Sequence, residues 1–324
     1  GEPYGAAISV QPAFAQACAE AYETKGFARD TCAYFRNYMG SLFLNRYFFG
    51  GPFPRPDLCL TVHNCDTHAK WYQLVSEHLG IPFFGVDYLN AAPGNKLERR
   101  TEYLASQIFD AIEWMEKVTG RNYDDGKFID AIYNECEIES LWAEICILNQ
   151  AIPAPLDQKA MWSLYLPGGI IKHKKECAEF YRMLRDEVKD RVANGIAALA
   201  TERCRLLHDS QPPWFFLKLF RVLEQYGAVC VGSQYAFGLS GYFQIERDGT
   251  WRRGKSPLEM GLELTSRDDA VRYFAYKILA KVTGDGVFHL ATDKIAQVMQ
   301  IVEQWYAEGV VMHLNRGCEG LAGH

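Results

Sequence analysis

The sequence predicts an α/β protein with Rossmann-like parallel-sheet domains at both ends and a helical segment in the middle. In the N-terminal part, an apolar run at 58–62, a helical pattern at 66–79 and the apolar run GIPFFGVDY form a strand–helix–strand unit. Such a unit favours a parallel sheet with a right-handed crossover. The same alternation returns near the C-terminus, where apolar runs at 227–232 and 309–314 enclose helical patterns. Between them, residues from about 97 to 150 have helical periodicity throughout.

The N-terminal α/β domain is expected to span 1–95. It opens with helical periodicity at 12–25 and 33–48, and a Gly/Pro-rich break at 50–56 then leads into the first strand. The stretch NAAPGNKLERR, which follows the second strand, has the composition of a linker.

The middle segment is expected at 96–212 and the C-terminal α/β domain at 213–324. A charged amphipathic helix at 175–200 and the Pro-marked break HDSQPPW close the middle segment. The C-terminal domain then contains predicted helices and strands at 215–225, 227–232, 268–281, 292–308 and 309–314. We expect the chain to begin inside its first domain and to stop before the last helix and strand of its last domain.

Composition narrows the class of protein. The 324 residues carry a net charge of −6, which argues against a general nucleic-acid binder, because such proteins present a basic face. No run of about 18 uninterrupted apolar residues is present, which argues against a membrane span. Ten scattered cysteines without a CxxC pair are typical of the reduced thiols of a cytoplasmic protein rather than of a disulfide scaffold.

Three cysteines occupy positions that suit ligands. Cys65 and Cys318 each follow an apolar run, and ligand sites of open α/β sheets form beyond the carboxyl ends of strands. Two such thiols could face one another across a cleft. Cys32, in RDTCAYFR, lies at a predicted helix N-terminus, where the helix dipole favours the thiolate. The alternative is that these are buried structural thiols, as most cysteines are.

The segments PDLCLTVHNCDTHAKWY, DTCAYFR, YNECEIESLW and NRGC resemble the 2-hydroxyacyl-CoA dehydratase and benzoyl-CoA reductase family, and the resemblance runs along essentially the whole chain. It is strongest to the B-type subunit of the ATP-dependent benzoyl-CoA reductases. The resemblance implies that three cysteines hold one [4Fe-4S] cluster in the cleft between domains, with one iron open to water or substrate. Matched residue by residue, the ligands are Cys32, Cys65 and Cys318. Cys136, in NECEIE, is the rival, although the carboxylates around it oppose thiolate formation.

The resemblance also implies a function. The chain would be a subunit of a ferredoxin-linked benzoyl-CoA reductase, which converts benzoyl-CoA to cyclohexa-1,5-diene-1-carbonyl-CoA by single-electron steps. Two alternatives stay open: a 2-hydroxyacyl-CoA dehydratase subunit, and a non-catalytic scaffold or electron-relay subunit.

The implied partners are a homologous C-type subunit, ATP-hydrolysing iron–sulfur activator subunits, ferredoxin as electron donor and an acyl-CoA substrate, with no nucleic acid and no membrane. The aromatic-rich stretch 32–49 predicts an interface with a partner subunit.

Other polar residues are candidates for proton transfer and for binding CoA. His63 and His68 flank Cys65, and together with Glu135 they are candidate proton donors or hydrogen-bond partners of a cluster sulfur. Their alternative role is that of satisfied structural residues or a solvated face. The candidate contacts to CoA phosphates are Lys172, Lys174 and Arg99, for which a solvated basic face is the alternative.

One motif argues for a function that we do not assign. GTWRRGKS, at 249–256, matches the Walker A pattern. Pro257 follows it directly and biases Ser256 away from helical geometry at the point where a P-loop helix begins. We therefore expect a solvent-exposed hairpin turn here and no nucleotide bound by this chain.

Overall fold

The computed structural model describes residues 2–87, 89, 95–281, 291–315 and 317–318. Its fold is built on two separate parallel sheets. The described helices are α1 (Glu2–Ile8), α2 (Pro12–Glu23), α3 (Ala33–Phe43), α4 (Asp66–Leu79), α5 (Leu97–Thr119), α6 (Asp125–Leu148), α7 (Gln158–Leu164), α8 (Leu166–Ile170), α9 (Lys175–Ala193), α10 (Lys218–Gln225), α11 (Gln234–Ser240), α12 (Arg267–Ala280) and α13 (Ala291–Gln304). The described strands are β1 (Cys59–Val62), β2 (Phe83–Val86), β3 (Cys204–Asp209), β4 (Ala228–Ser233), β5 (Phe243–Ile245), β6 (Trp251–Arg253) and β7 (Gly309–Met312). The predicted fold class is confirmed.

The N-terminal sheet is the predicted strand–helix–strand unit. Strands β1 and β2 pair in parallel, with Cys59 opposite Phe83 and Val62 opposite Val86. Helix α4 connects them and ends at Gly80, whose φ of +64° is the left-handed conformation that glycine adopts at helix C-termini without steric cost. The unit directs the residues after β1 toward the start of α4.

The C-terminal sheet has the strand order β4-β3-β7, and both pairings are parallel. Strand β3 is central in it, whereas the predicted middle segment, 96–212, included these residues. The predicted boundary at 212/213 therefore separates β3 from its sheet partners. The sequence pattern concealed this strand because a charged residue, Arg205, interrupts its apolar run. Arg205 is buried and donates hydrogen bonds to the backbone carbonyls of Trp305, Ala151 and Asn149.

The middle helices contribute to several cores that they share with other elements instead of forming one of their own. Helix α6 contributes Ile138 and Trp142 to a core that also contains Leu207 of β3 and Val231 of β4. Helix α5 packs on β2 and α12 in a second core. Helices α5 and α6 are the longest described, and no described helix is long and apolar enough to cross a membrane.

The aromatic-rich stretch 32–49 belongs mostly to the core of the N-terminal part. Tyr34, Phe35 and Tyr38 on α3 are buried and pack in one cluster with Trp71 of α4. Among the described rings of this stretch, Phe49 is the one that is largely exposed, at 70%. The prediction of a partner interface for this stretch is therefore wrong, because its rings stabilise the packing of α3 on α4. Helix α3 also ends at Phe43 rather than near 48.

The segment with the Walker A pattern forms part of an antiparallel hairpin. Strands β5 and β6 pair from Phe243 opposite Arg253 to Ile245 opposite Trp251. Trp251 is 1% exposed, so the hairpin is less exposed than predicted. Arg253 donates two hydrogen bonds to Glu259, at 2.9 and 2.6 Å. These side chains are engaged in structural contacts, which supports the interpretation that this segment is no phosphate-binding loop.

The close approach of α2 and α3 depends on a glycine. A Cβ atom on Gly40 would lie 2.0 Å from the backbone oxygen of Cys18. We expect Gly40→Ala to lower the free energy of unfolding by about 3 kcal/mol or to prevent folding, because neither backbone can yield cheaply. Denaturant unfolding measures this.

Gly126→Ala is the matched control. Gly126 lies in the exposed first turn of α6, where a Cβ would meet only the Asp124 side chain, at 3.5 Å. Alanine also favours the helix relative to glycine, so this variant should unfold at the parent's denaturant concentration or slightly above it. A Gly40→Ala protein as stable as the Gly126→Ala protein would contradict the described packing.

Candidate functional site

Two of the three candidate cysteines are N-cap residues of helices. Cys32 precedes α3, and Cys65 precedes α4 directly after the loop that follows β1. The unsatisfied amides and the dipole at a helix N-terminus favour a negatively charged group at both positions. The parallel unit β1–α4–β2 is what places Cys65 there, because the chain turns from strand to helix at the carboxyl edge of the sheet.

Cys318 follows β7 in a turn that contacts the start of α3. The turn is held by Asn315, whose backbone carbonyl accepts a hydrogen bond from the Cys318 amide at 2.9 Å and whose side chain donates to Gln211. Gly317 lies so close to α3 that a Cβ on it would be 2.8 Å from the backbone oxygen of Thr31. Residue 318 is thereby held next to residue 32.

The electrostatic surroundings connect the same residues. Burial raises the pKa of the Cys32 thiol to about 11; amides of α3 oppose this rise, and the charges of Glu2 and Cys65 add to it. Cys318 lies within electrostatic range of Tyr235. The structure therefore brings Cys32, Cys65 and Cys318 into one region.

These thiols are not arranged around a single ion. The described part of the chain contains no group of three or more His, Cys, Asp or Glu side chains that would hold one metal ion. A cluster differs in this respect, because each thiolate binds a different iron and the thiols stand farther apart. None of the ten cysteines, all within the described residues, forms a disulfide.

His68 connects Cys65 to a carboxylate. Its Nδ1 lies 3.3 Å from the Cys65 sulfur, its Nε2 lies 3.3 Å from a carboxylate oxygen of Glu2, and its ring stacks on Trp71. Burial by itself opposes the charged imidazole, but the contacts to Cys65 and Glu2 raise the pKa of His68 to about 10. His63, by contrast, points to the surface and contacts Asp87 at 2.9 Å. Of the two predicted histidines, the structure brings only His68 to the cysteines.

Cys136 lies in a different environment. It packs in the middle of α6 with Ile132, Leu264 and Ala270 and is 3% exposed. Burial raises the pKa of its thiol to about 11, the charge of Lys277 opposes the rise, and the carboxylates of Glu139 and Glu135 add to it. Because burial raises the pKa of Cys32 as much, the mid-helix position of Cys136, away from a helix N-terminus, is what distinguishes it from Cys32 and Cys65.

Glu135 belongs to a buried network of charges rather than to the cysteines. Glu135 and Glu139 lie one turn apart on α6 and are contacted by three lysines. Lys172 is 2.8 Å from Glu135, Lys277 contacts both carboxylates, and Lys281 is 2.5 Å from Glu139. Burial opposes ionisation of both carboxyl groups, but the lysines outweigh it and lower the pKa of each. A carboxylate held ionised in this way is a poor proton donor, which argues against the predicted role of Glu135.

Two cavities meet beside these groups. The first, of about 500 Å³, is lined by His68, Arg100, Glu135 and the three lysines of the network. The second, of about 430 Å³, has a largely apolar and aromatic lining that includes Tyr34, Tyr165, Trp214 and Tyr235. Glu2, Pro3, Lys172 and Leu239 line both cavities. Ligand sites are typically concave and apolar with a few polar groups, and this pair of cavities has that character.

The predicted CoA contacts separate in the structure. Lys172 lines both cavities, whereas Lys174, the N-cap residue of α9, and Arg99 on α5 are exposed, and neither is among the described residues that line the cavities.

Sequence reasoning missed several residues of this region: Glu2, Tyr34, Glu139, Tyr235, Lys277 and Lys281. A signal existed for some of them. Lys277 is a lone charge in the apolar helical stretch YFAYKILA, and Glu135 and Glu139 have the i,i+4 spacing of side chains on one helix face. For Glu2 and Tyr235, we find no local pattern that points to the site.

Comparison with known proteins identifies relatives along the chain. The family model described as "2-hydroxyglutaryl-CoA dehydratase, D-component" matches residues 5–323. The (R)-2-hydroxyisocaproyl-CoA dehydratase alpha subunit of Clostridioides difficile is 26% identical over 238 residues, which are 72% of this chain and 58% of the relative. The (R)-2-hydroxyglutaryl-CoA dehydratase subunit alpha of Acidaminococcus fermentans is 28% identical over 186 residues, which are 56% of this chain and 39% of the relative.

A third relative aligns over more of the chain. The lactoyl-CoA dehydratase subunit alpha of Anaerotignum propionicum is 23% identical over 321 residues, which are 93% of this chain and 69% of the relative. The alignments with the first two relatives span less than two thirds of those proteins. All three relatives are dehydratase subunits, which favours the dehydratase alternative over the benzoyl-CoA reductase expected from the sequence.

The buried network of Glu135, Glu139 and their three lysines leads to a prediction about stability. Glu139 is 1% exposed and contacts three lysines, so Glu139→Gln would leave buried positive charge without its counter-charge. We expect this variant to lose about 3–5 kcal/mol in the free energy of unfolding at neutral pH. Glu187→Gln, in an exposed pair with Arg191 on α9, is the control and should lose less than about 1 kcal/mol.

The pH dependence gives a second readout of the same variant. The folded protein lowers the pKa of Glu139 below its usual 4.5, so its contribution is present above about pH 4.5 and is lost as the pH falls below it. The difference between the parent and Glu139→Gln should therefore shrink in acid. A constant difference from pH 7 to pH 3 would contradict this assignment.

Proposed function

Because the chain belongs to the family of 2-hydroxyglutaryl-CoA dehydratase D-components, we propose that it is a subunit of a 2-hydroxyacyl-CoA dehydratase. The observation that carries the proposal is the meeting of Cys32, Cys65 and Cys318 beside two adjoining cavities. The names of the relatives suggest the type of reaction, since these proteins are subunits of dehydratases of several 2-hydroxyacyl-CoA thioesters.

We propose that Cys32, Cys65 and Cys318 hold one [4Fe-4S] cluster. The donor set fits such a group, because three thiols from separate segments converge and two of them cap helices that favour thiolate. When bound, a cluster with one iron free of protein ligands supplies a Lewis-acidic and redox-active position next to the substrate. His68 would contact the Cys65 sulfur, and amides of α3 would donate to Cys32, and such hydrogen bonds tune a cluster.

The residues around the cysteines fit an elimination of water. Loss of water from a 2-hydroxyacyl thioester removes a hydroxyl group from carbon 2 and a proton from carbon 3, so the site needs a group that takes and returns a proton. His68 Nε2 lies 3.3 Å from a carboxylate oxygen of Glu2, close enough for a proton to pass between them, and both residues line the first cavity. We assign the proton transfers to this pair.

The second cavity supports a substrate-binding subunit rather than a pure scaffold or electron relay. Its aromatic walls, formed by Tyr34, Tyr165, Trp214 and Tyr235, place apolar surface next to Cys32 and Cys318. Hydrogen bonds fix these rings, for example from Trp214 Nε1 to the Tyr34 hydroxyl at 2.8 Å. A cavity of this size with a mostly apolar lining suits the acyl part of a thioester.

Partner subunits follow from the same family. The relatives are named as alpha subunits, which supports a second, homologous subunit in the complex. We further propose an ATP-hydrolysing iron–sulfur activator that accepts electrons from ferredoxin. The chain itself would then bind no nucleotide, in agreement with the structural contacts of Trp251 and Arg253.

Iron content tests the ligand set. Replacing Cys32, Cys65 or Cys318 by serine should remove most of the iron from protein purified without oxygen, because serine is the less acidic ligand. The parent should carry about four irons per chain and lose its colour in air. Cys136→Ser is the matched control and should keep the parental iron.

Two outcomes would count against this ligand set. The first is loss of iron in Cys136→Ser with retention in Cys32→Ser, which would mean that Cys136 is the ligand. The second is stoichiometric zinc without iron in the parent, which would exclude the cluster.

The composition and activity of the native complex test the reaction. Mass spectrometry of co-purifying subunits should find two homologous subunits together with a loosely bound activator. With activator, ATP and a reductant, the complex should release water from a 2-hydroxyacyl-CoA. Four different tightly bound subunits that reduce benzoyl-CoA would instead establish the reductase and refute the dehydratase.

A further inference from the structure

The first cavity contains an excess of buried positive charge. Lys172, Lys277 and Lys281 line it, and within the described part of the chain they contact two carboxylates, those of Glu135 and Glu139. The side chains of Lys277 and Lys281 are 2% and 12% exposed, so water screens this charge poorly. With all five side chains ionised, one positive charge is in excess, and burial together with the charges of Lys277 and Lys172 lowers the pKa of Lys281.

Buried charges are normally paired, because removing a charge from water is costly unless a counter-charge compensates it. The excess lies at the wall of a cavity of about 500 Å³ rather than inside packed side chains. An anion that enters the cavity would supply the missing charge. The cavity is therefore organised for a negatively charged ligand.

We propose that this cavity is a binding site for an anionic oxygen group of the thioester substrate, held by Lys172 together with Lys277 and Lys281. Phosphates of CoA and a carboxylate at the far end of the acyl chain share this chemistry. The identification of the ligand as a CoA thioester rests on the proposed function, whereas the anion site itself rests on the charges.

Lys172 is the lysine that reaches the ligand. It is the most exposed of the three, at 34% of its side chain, and it lines both cavities. Its Nζ donates to Glu135 at 2.8 Å and lies 3.6 Å from Glu139, which leaves at least one donor of the ammonium group for an anion. Lys277 and Lys281 lie deeper and contribute mainly through their charge.

The variant Lys172→Met tests the site without breaking the network. It leaves Lys277 and Lys281 with Glu135 and Glu139, two positive and two negative charges, so the protein should still fold. Lys175→Met is the matched control, since Lys175 is an exposed lysine three positions away in a weak pair with Glu179. Lys172→Arg keeps the charge and should restore part of the affinity.

Calorimetry on the native complex, purified without oxygen, measures the effect. CoA thioesters should bind Lys172→Met about tenfold or more weakly than the parent, because a hydrogen bond to a charged group is lost. They should bind Lys175→Met as they bind the parent. Inorganic pyrophosphate should raise the melting temperature of the parent and of Lys175→Met, but not that of Lys172→Met.

Two pairs of ligands distinguish the source of the anion. If it is a phosphate, the loss in Lys172→Met appears with butyryl-CoA and disappears with butyryl-pantetheine, which lacks the phosphates. If it is an acyl carboxylate, the loss appears with glutaryl-CoA and not with butyryl-CoA. Either result supports the anion site and names its ligand.

The outcomes also separate this inference from the proposed function. If CoA thioesters bind the parent and Lys172→Met equally well, the anion site is overturned while the function stands. If no CoA compound binds but pyrophosphate still stabilises only the proteins that retain Lys172, the site stands and the proposed function fails. If pyrophosphate stabilises none of the proteins and no CoA compound discriminates between them, the anion site is refuted.

Discussion

The burial of two carboxylates on one turn of α6 is the constraint on which much of the structure depends. Glu135 and Glu139 face inward on a helix whose other positions, such as Ile138 and Trp142, fill the core. Ionised carboxylates are stable there only with cations at hydrogen-bond distance, and these come from α12 and from the segments that follow α8 and α12. The requirement ties distant parts of the chain to α6. It also gives the cavity between them its charge.

The candidate cluster site follows from a different principle, the direction of the chain at the carboxyl edges of parallel strands. Strands β1 and β7 both lead into polar turns, and the turn after each carries a cysteine. Cys32 joins them because the start of α3 contacts Gly317. The burial that raises the pKa of the Cys32 thiol and the helix N-terminus that favours its thiolate act in opposite directions. Binding of iron or another cation would shift the protonation equilibrium of Cys32 toward the thiolate.

The two cavities give the site two chemically different sides. One wall carries lysines and the other carries tyrosines and tryptophan, and Glu2 and Lys172 belong to both. A thioester is itself divided in this way, with an anionic CoA part and an acyl part that is often apolar. The proposed dehydratase reaction makes use of this division, because the thioester group would lie where the cavities meet. Glu2 lies at this junction, and His68, 3.3 Å from it, lines the first cavity.

The sequence by itself determined the class of the fold and singled out three cysteines as candidate ligands, because both depend on local patterns; the ligand role of these cysteines stays a prediction. Strand β1, helix α4 and strand β2 were found from apolar runs and a Gly/Pro break, and Cys32, Cys65 and Cys318 stood out by their places at element ends. Tertiary structure decided the rest. Strand β3 can be central although it contains the charged Arg205, because carbonyls just after the C-terminal ends of α6 and α13 accept hydrogen bonds from the buried guanidinium. The aromatic stretch of α3 is buried because Trp71 packs against it. Lys277 and Lys281 became part of the site because Glu139 lies opposite them, about 140 positions away in sequence, and no local pattern contains a contact between residues so far apart.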